Sequence, residues 1–479
     1  MSDLELLLVN PSNRLEQFAS LNELATVAQP LGITMLASYI RNLGYSVKII
    51  DAEAEFWTPE QTITEIVKYN QKIVCLTAFT TKMTAASKIL NGIREHIPQT
   101  YTVLGGHHVS SIPERTLHEE KVDIVVKGEG YDALERIVES IVTYKKWVYE
   151  IDGVWVRRPN GVHKGGQAKS FNIDEYPLPA WDLLPMDKYR AHHWQTWECE
   201  IPASKFAIIY TSLGCPFSCE YCSVNVVYDK HFTRYRSVKL VADELEKLIN
   251  EYGVYYVEII DDTFTLNKEH VEDLCDEFIK RKIGNKISAW CFARTDRVSV
   301  NLMKKMKQAG IDWVFMGFES GADLILKGVN KRQTVEQIKK AVEIVHEADI
   351  HVGGNYVFGL PDDTFETMQA TFDLAQELNT EYINLFVCMA YPGTKLYEIA
   401  KQKGYPLPER WGQYGFFAPD AVPMRTETLT PKDILTFRDK AFKEYFSSGH
   451  YQGMIKKTFG QRTVDFINQK VLNKELVRK

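Results

Sequence analysis

The chain has 479 residues, of which 45% are hydrophobic and 25% charged, and its net charge is −6. A chain of this length suggests about two to four domains, each able to bury a core. No Lys/Arg stripe is interleaved with aromatics, which argues against nucleic acid as the main partner, and no apolar run is long enough to span a bilayer.

The first residues, "MSDLELLLVNPSNR", lack the basic segment and the apolar length of a signal peptide. The expectation is a cytoplasmic protein with reduced thiols. "LELLLVNP" reads as a strand, "PLGITMLASYIRNLGY" as an amphipathic helix ending at Gly44, and "SVKIIDAEAE" as a strand carrying Asp51 at its C-terminal end. "KIVCLTAFT", "YTVLGGHHV" and "VDIVVKGEG" continue the alternation of apolar strands with helices. This is the pattern of βαβ units in a doubly wound, Rossmann-like domain over residues 1–148. Loops after such strands line the ligand-binding edge. That edge would hold Asp51, Thr77, Thr80, Gly105, Gly106, His107, Gly128 and Glu129.

Residues 149–203 read as a linker, with a hairpin at "IDGVWVRRPNGVHKGG" followed by the Pro- and aromatic-rich "DEYPLPAWDLLPMDKYR". Over 204–408 alternation returns with "FAIIYTS", "YVEIIDD", "SAWCFART", "WVFMGFES", "VGGNYVFGLP" and "YINLFVCMAYPG". These six strands, with helices between, suggest a partial (β/α)6 barrel, two repeats short of closure. Residues 409–479 read as a small helical region, preceded by the aromatic "RWGQYGFFAPD", which either covers the barrel mouth or packs between domains.

Of eight cysteines, three stand within eight residues in "TSLGCPFSCEYCSVN": Cys215, Cys219 and Cys222. In a reducing compartment such a cluster points to metal or catalysis. Thiolates select zinc, copper(I) or iron–sulfur. Structural zinc takes a closed set of four ligands, and the nearest spare groups, Cys199 and His231, lie at no usual zinc spacing. Three thiolates on a four-iron cubane leave one iron open to a substrate or cofactor.

"CPFSCEYC" after the first barrel strand resembles the CxxxCx(aromatic)C signature of the radical S-adenosylmethionine superfamily. The resemblance implies that Cys215, Cys219 and Cys222 hold a 4Fe–4S cluster and that Tyr221 lies against the adenine of S-adenosylmethionine. "IIDDTF" resembles the segment facing the methionyl part and gives Asp261, Asp262 and Thr263. "CFARTDRV" gives Arg294 for a carboxylate, and "GFESG" gives Glu319 for the ribose or amino group. "FGLPDDT" resembles the turn that shapes the adenine pocket, and "AYPGT" the end of the sixth strand. Strand-end caps, surface ion pairs and turns are the plain structural alternatives for these residues.

The front domain resembles the cobalamin-binding domain of class B members, through "PLGITMLASYIRNLGYSVKIIDAEAE", "LGGHHVSSIPERTL" and "VDIVVKGEGYDAL". A DxHxxG motif for cobalt ligation is absent. The resemblance therefore implies cobalamin without a histidine below the cobalt, its lower face covered by groups near Leu31 and Thr77 to Thr80. His107 and His108 are expected to pack or to hydrogen-bond the ligand.

Together these features imply an enzyme that forms a 5′-deoxyadenosyl radical and passes a methyl group from methylcobalamin to an unactivated carbon of a small molecule. An external one-electron reductant such as flavodoxin or ferredoxin is expected. Two alternatives stand beside it: a radical enzyme that does not methylate, and a non-enzymatic corrinoid or metal carrier. In the former, Cys388 or Tyr391 could donate a hydrogen atom, although packing is their simpler role.

Overall fold

In the computed structural model, residues 4–18, 21–146, 150–170, 172–228, 231–474 and 478 are described. The apolar run Leu6–Asn10 forms β1, buried along its whole length because both faces of the sheet are covered. β2 (Val47–Asp51), β3 (Ile73–Thr77), β4 (Tyr101–Gly105) and β5 (Ile124–Val126) follow. All pair in parallel in the order β2-β1-β3-β4-β5. The amphipathic helix Leu31–Asn42 turns Ile33, Ala37 and Ile40 into the core, where each large aliphatic side chain contributes about 1.5–3 kcal/mol. The chain departs in opposite directions from β1 and β3, which places the ligand crevice at their C-terminal ends.

The hairpin expected beyond residue 148 is β6 (Val154–Arg158) and β7 (Gly161–Lys164), and it belongs to this same sheet. β6 pairs antiparallel with β5 and covers its otherwise open edge. The front sheet thus continues to Lys164, past the expected boundary, because β5 ends the parallel series with its polar edge unpaired.

The second unit begins with β8 (Phe206–Ile209). A short ribbon, β9 (Ser212–Leu213) with β10 (Arg234–Tyr235), carries the cysteine loop between its strands. β11 (Tyr256–Ile259), β12 (Ser288–Ala293), β13 (Ile311–Glu319), β14 (His351–Phe358) and β15 (Tyr382–Val387) complete six parallel barrel strands in the order β15-β14-β13-β12-β11-β8. The sheet is open between β15 and β8, as the count of six strands implies. On the β8 side, Gln29 of the front domain stands where a further strand would be. Its Nε2 donates to the Phe206 carbonyl at 2.9 Å, and its Oε1 accepts from the Ile208 N–H at 3.1 Å.

The C-terminal region is helical, with helices Pro431–Ser447 and Gly449–Phe459 packed against the start of β15. Tyr445 and Tyr451 donate there to the carbonyls of Thr380 and Glu381. No helix among the described residues is long and apolar enough to cross a membrane.

Candidate functional site

The cysteine loop leaves β9 at the C-terminal end of the barrel and is braced from four directions. Asp261, at the end of β11, is buried and accepts from the Thr211 N–H, the Thr211 hydroxyl and the Ser212 hydroxyl, each at 2.6 Å. The Arg294 guanidinium lies 3.8 Å from the centre of the Phe217 ring. Asn330 Nδ2 donates to the Ser218 carbonyl at 3.1 Å and its hydroxyl at 2.8 Å. The Glu220 N–H reaches the Val329 carbonyl, while its own carbonyl accepts from Leu396. The fold thus spends many hydrogen bonds on a loop with little core of its own, which fixes the direction of its three thiols.

Cys215 and Cys219 are half-buried and Cys222 is exposed. Among the described residues no three His, Cys, Asp or Glu side chains gather around a point as a single metal ion would need. A cubane takes its thiolates at separate corners, so three soft donors spread along one braced loop fit an iron–sulfur cluster.

The residues assigned to S-adenosylmethionine gather beside this loop, with different freedoms. Tyr221 is half-buried and packs against the apolar cluster that contains Val329, Leu360 and Leu396. Leu360, from the Gly-Leu-Pro turn, belongs to the same cluster. Glu319 sits at a bulge in β13 with φ of 65° and is held by Lys331 at 2.6 Å. Asp262 is exposed. Thr263 is buried, with its hydroxyl on the Asp262 carbonyl.

Two assignments change character. Asp261 has its carboxylate occupied by the Thr211–Ser212 segment, so it positions the loop and does not reach into the cleft. Arg294 is buried, donating to Asp296 at 2.9 Å and to the Lys331 carbonyl at 3.1 Å, and it too braces the loop. Lys331 and Gln333 were not legible as site residues. Gln333 donates to the Gly317 and Phe318 carbonyls and so ties the bulge that presents Glu319. The only signal was the polar run "NKRQT" between two helices.

Across from the cysteine loop, the front domain offers two adjoining cavities of about 260 Å³ each. Leu31, Thr77, Gly105, Gly106, Gly128 and Glu129 line one of them, facing Tyr210 and Tyr228 of the barrel unit. Thr80 and His107 line the other, facing Ser223, Tyr391 and Phe416. Asp51 lines neither. It is buried on Asn10 and Tyr189, both at 2.7 Å, because the end of β2 is closed over by the linker.

Gly106, at φ of 104°, comes so near β3 that a Cβ would stand 2.8 Å from the Ala78 carbonyl oxygen. Only glycine allows that close approach of the two strand ends. Burial lowers the His107 pKa to about 4 and that of His108 to about 3, so both imidazoles are neutral. His108 hydrogen-bonds Thr80 and packs edge-on against Trp411, as packing residues do. Cys388 is buried in apolar surroundings, and Tyr391 donates to the Tyr414 carbonyl. The glycine-lined strand ends at these cavities suit the approach of a corrinoid, and His107 is the histidine that borders them among the described residues.

Residues 209–375 match the model of the radical SAM superfamily, and residues 20–138 match that of the B12 binding domain. An uncharacterized methyltransferase of Pyrococcus horikoshii is 33% identical over 454 residues, covering 93% of each chain. An anaerobic magnesium-protoporphyrin IX monomethyl ester cyclase of Cereibacter sphaeroides is 26% identical, covering 86% of this chain and 66% of the cyclase. The radical S-adenosylmethionine methyltransferase TsrM of Kitasatospora setae, solved with cobalamin and a [4Fe-4S] cluster, has the same fold. It superposes with a TM-score of 0.67 at 19% identity, over 84% of this chain and 78% of that one. The chain belongs to the cobalamin-binding, class B family of radical S-adenosylmethionine enzymes.

Proposed function

We propose that this enzyme is a cobalamin-dependent radical S-adenosylmethionine methyltransferase acting on an unactivated carbon of a small molecule. One observation carries the reading: the glycine-lined strand ends of the front domain open onto cavities whose far walls include Leu213, Ser223, Val227 and Tyr228, the residues that flank the braced three-thiol loop. When bound, the cluster supplies an electron that opens S-adenosylmethionine to a 5′-deoxyadenosyl radical, and the corrinoid supplies a methyl group.

The chain's own part is positioning and dryness. Cys215, Cys219 and Cys222 hold the cluster. Tyr221, Asp262 and Glu319 border the place for S-adenosylmethionine, and Asp261 and Arg294 hold the loop at its distance from them. Leu31, Thr77, Gly105, Gly106, Gly128 and Glu129 receive the corrinoid with Thr80 and His107 beside them. Glu129 is also ion-paired with Arg234 of the ribbon that carries the cysteine loop, which couples the two edges.

The names of the Pyrococcus relative and of TsrM support methyl transfer. We place the enzyme in the cytoplasm, served by a one-electron donor such as flavodoxin or ferredoxin, and its eight free thiols suit that compartment. The likeness to the cyclase supports a second reading, radical chemistry without methyl transfer. Assay of anaerobically reconstituted protein with methyl-labelled S-adenosylmethionine separates them. Methylation yields one S-adenosylhomocysteine and one 5′-deoxyadenosine per labelled product, whereas the cyclase-like outcome yields deoxyadenosine and no label transfer.

A further inference from the structure

A cavity of about 470 Å³ lies inside the open barrel, closed on its free side by the front domain, the linker and the C-terminal region. Its volume is in the range of sites for drug-sized ligands. Trp290, Phe292 and Phe315 form its walls, and Trp194 packs on Trp290 and Phe315 with ring centres 5.4 and 4.6 Å away. Phe416 and Phe417 line both this cavity and the one at His107, so the two spaces share a wall.

Polar groups without hydrogen-bond partners interrupt the aromatic surface: both ring nitrogens of His193 on the linker side, and a pair on adjacent barrel strands. Glu258, midway along β11, has a buried Oε2 that meets no donor, and its register partner Trp290 has a buried indole N–H that meets no acceptor. Burial pushes the Glu258 pKa up to about 8. An unpaired carboxyl and an unpaired N–H cost free energy unless a ligand completes them. The walls ask for a flat apolar body, and Glu258 and Trp290, register partners on adjacent strands, ask for a donor and an acceptor on one edge.

Building on the proposed methyl transfer, we infer that the substrate is a planar, largely apolar ring compound. Its single polar edge brings an N–H to Glu258 Oε2 and an acceptor to the Trp290 indole. The aromatic faces stack on the rings while the polar edge fixes which carbon turns toward the strand ends.

Calorimetric titration of the anaerobic full-length protein with phenanthridin-6(5H)-one, a planar lactam, and with its N-methyl derivative tests this. The lactam is expected to bind saturably and at least about tenfold more tightly than the N-methyl form, since one lost hydrogen bond at a buried group is worth roughly that factor. Glu258→Leu should bind both compounds equally, and Glu258→Gln, which keeps an acceptor and the side chain's size, should restore the preference. Equal binding of the two compounds by the native protein, or saturable binding of neither, overturns the inference. Deoxyadenosine formation is measured separately: its absence with the lactam preference intact refutes the proposed function and not the class of ring bound.

Discussion

Lys331 Nζ lies 2.6 Å from Glu319 Oε1 in a pair that is about nine-tenths buried, in the space a side chain on Gly317 would fill. A buried carboxylate left without its cation is costly, so Lys331→Met should destabilise the protein by about 3–5 kcal/mol in urea unfolding. It should also weaken S-adenosylmethionine binding, because Lys331 holds the bulge-borne Glu319 that we propose borders that ligand. Combining it with Glu319→Leu should recover most of the stability and none of the binding. Recovery of both would mean that Glu319 serves only the core.

Gln29 connects the units by satisfying two backbone groups on the free edge of β8, the Phe206 carbonyl and the Ile208 N–H. Gln29→Leu leaves the Phe206 carbonyl and the Ile208 N–H buried and unpaired, at a cost of about 1–3 kcal/mol. The expected signature is faster hydrogen exchange at the Ile208 amide, with the β12–β13 amides unchanged. A uniform rise across the barrel would indicate general loosening.

His351 lies between Glu198, at 2.7 Å, and Glu381, at 3.8 Å. Burial alone would lower its pKa, but these carboxylates raise it from 6.5 to about 9. Glu381 is likewise favoured by burial to rise, yet His346 and His351 hold it at about 2 instead of 4.5. The His351 contribution is complete below pH 6.5 and fades as pH rises through about 9. The Glu381 contribution is complete above pH 4.5 and fades as pH falls through about 2. Stability from this cluster is therefore greatest between those windows. His351→Gln should remove roughly 2 kcal/mol at pH 6 and flatten the decline between pH 7 and 9. An unchanged slope would show that another group titrates there.

The sequence disclosed the strands, their parallel arrangement and the thiol loop, because apolar β-rich runs and a cysteine signature are local patterns. Residues whose roles depend on distant partners were not legible. Asp51 and Asp261 stand at strand ends as ligand groups do, yet Tyr189 and Thr211–Ser212, far away in the chain, consume their oxygens. Arg294 offered a fork for a carboxylate, but Phe217 and the Lys331 carbonyl hold it against the loop. The edge-pairing of Gln29 left no trace, since a lone glutamine in "VAQPLG" has no pattern.

Electron paramagnetic resonance of the anaerobically reconstituted, reduced protein, recorded before and after adding S-adenosylmethionine, bears most directly on the three-thiol site. The account predicts one 4Fe–4S cluster per chain whose g values shift on addition, and loss of that signal in Cys219→Ala. A reduced cluster whose spectrum ignores S-adenosylmethionine, or one that survives the loss of Cys219, would contradict it.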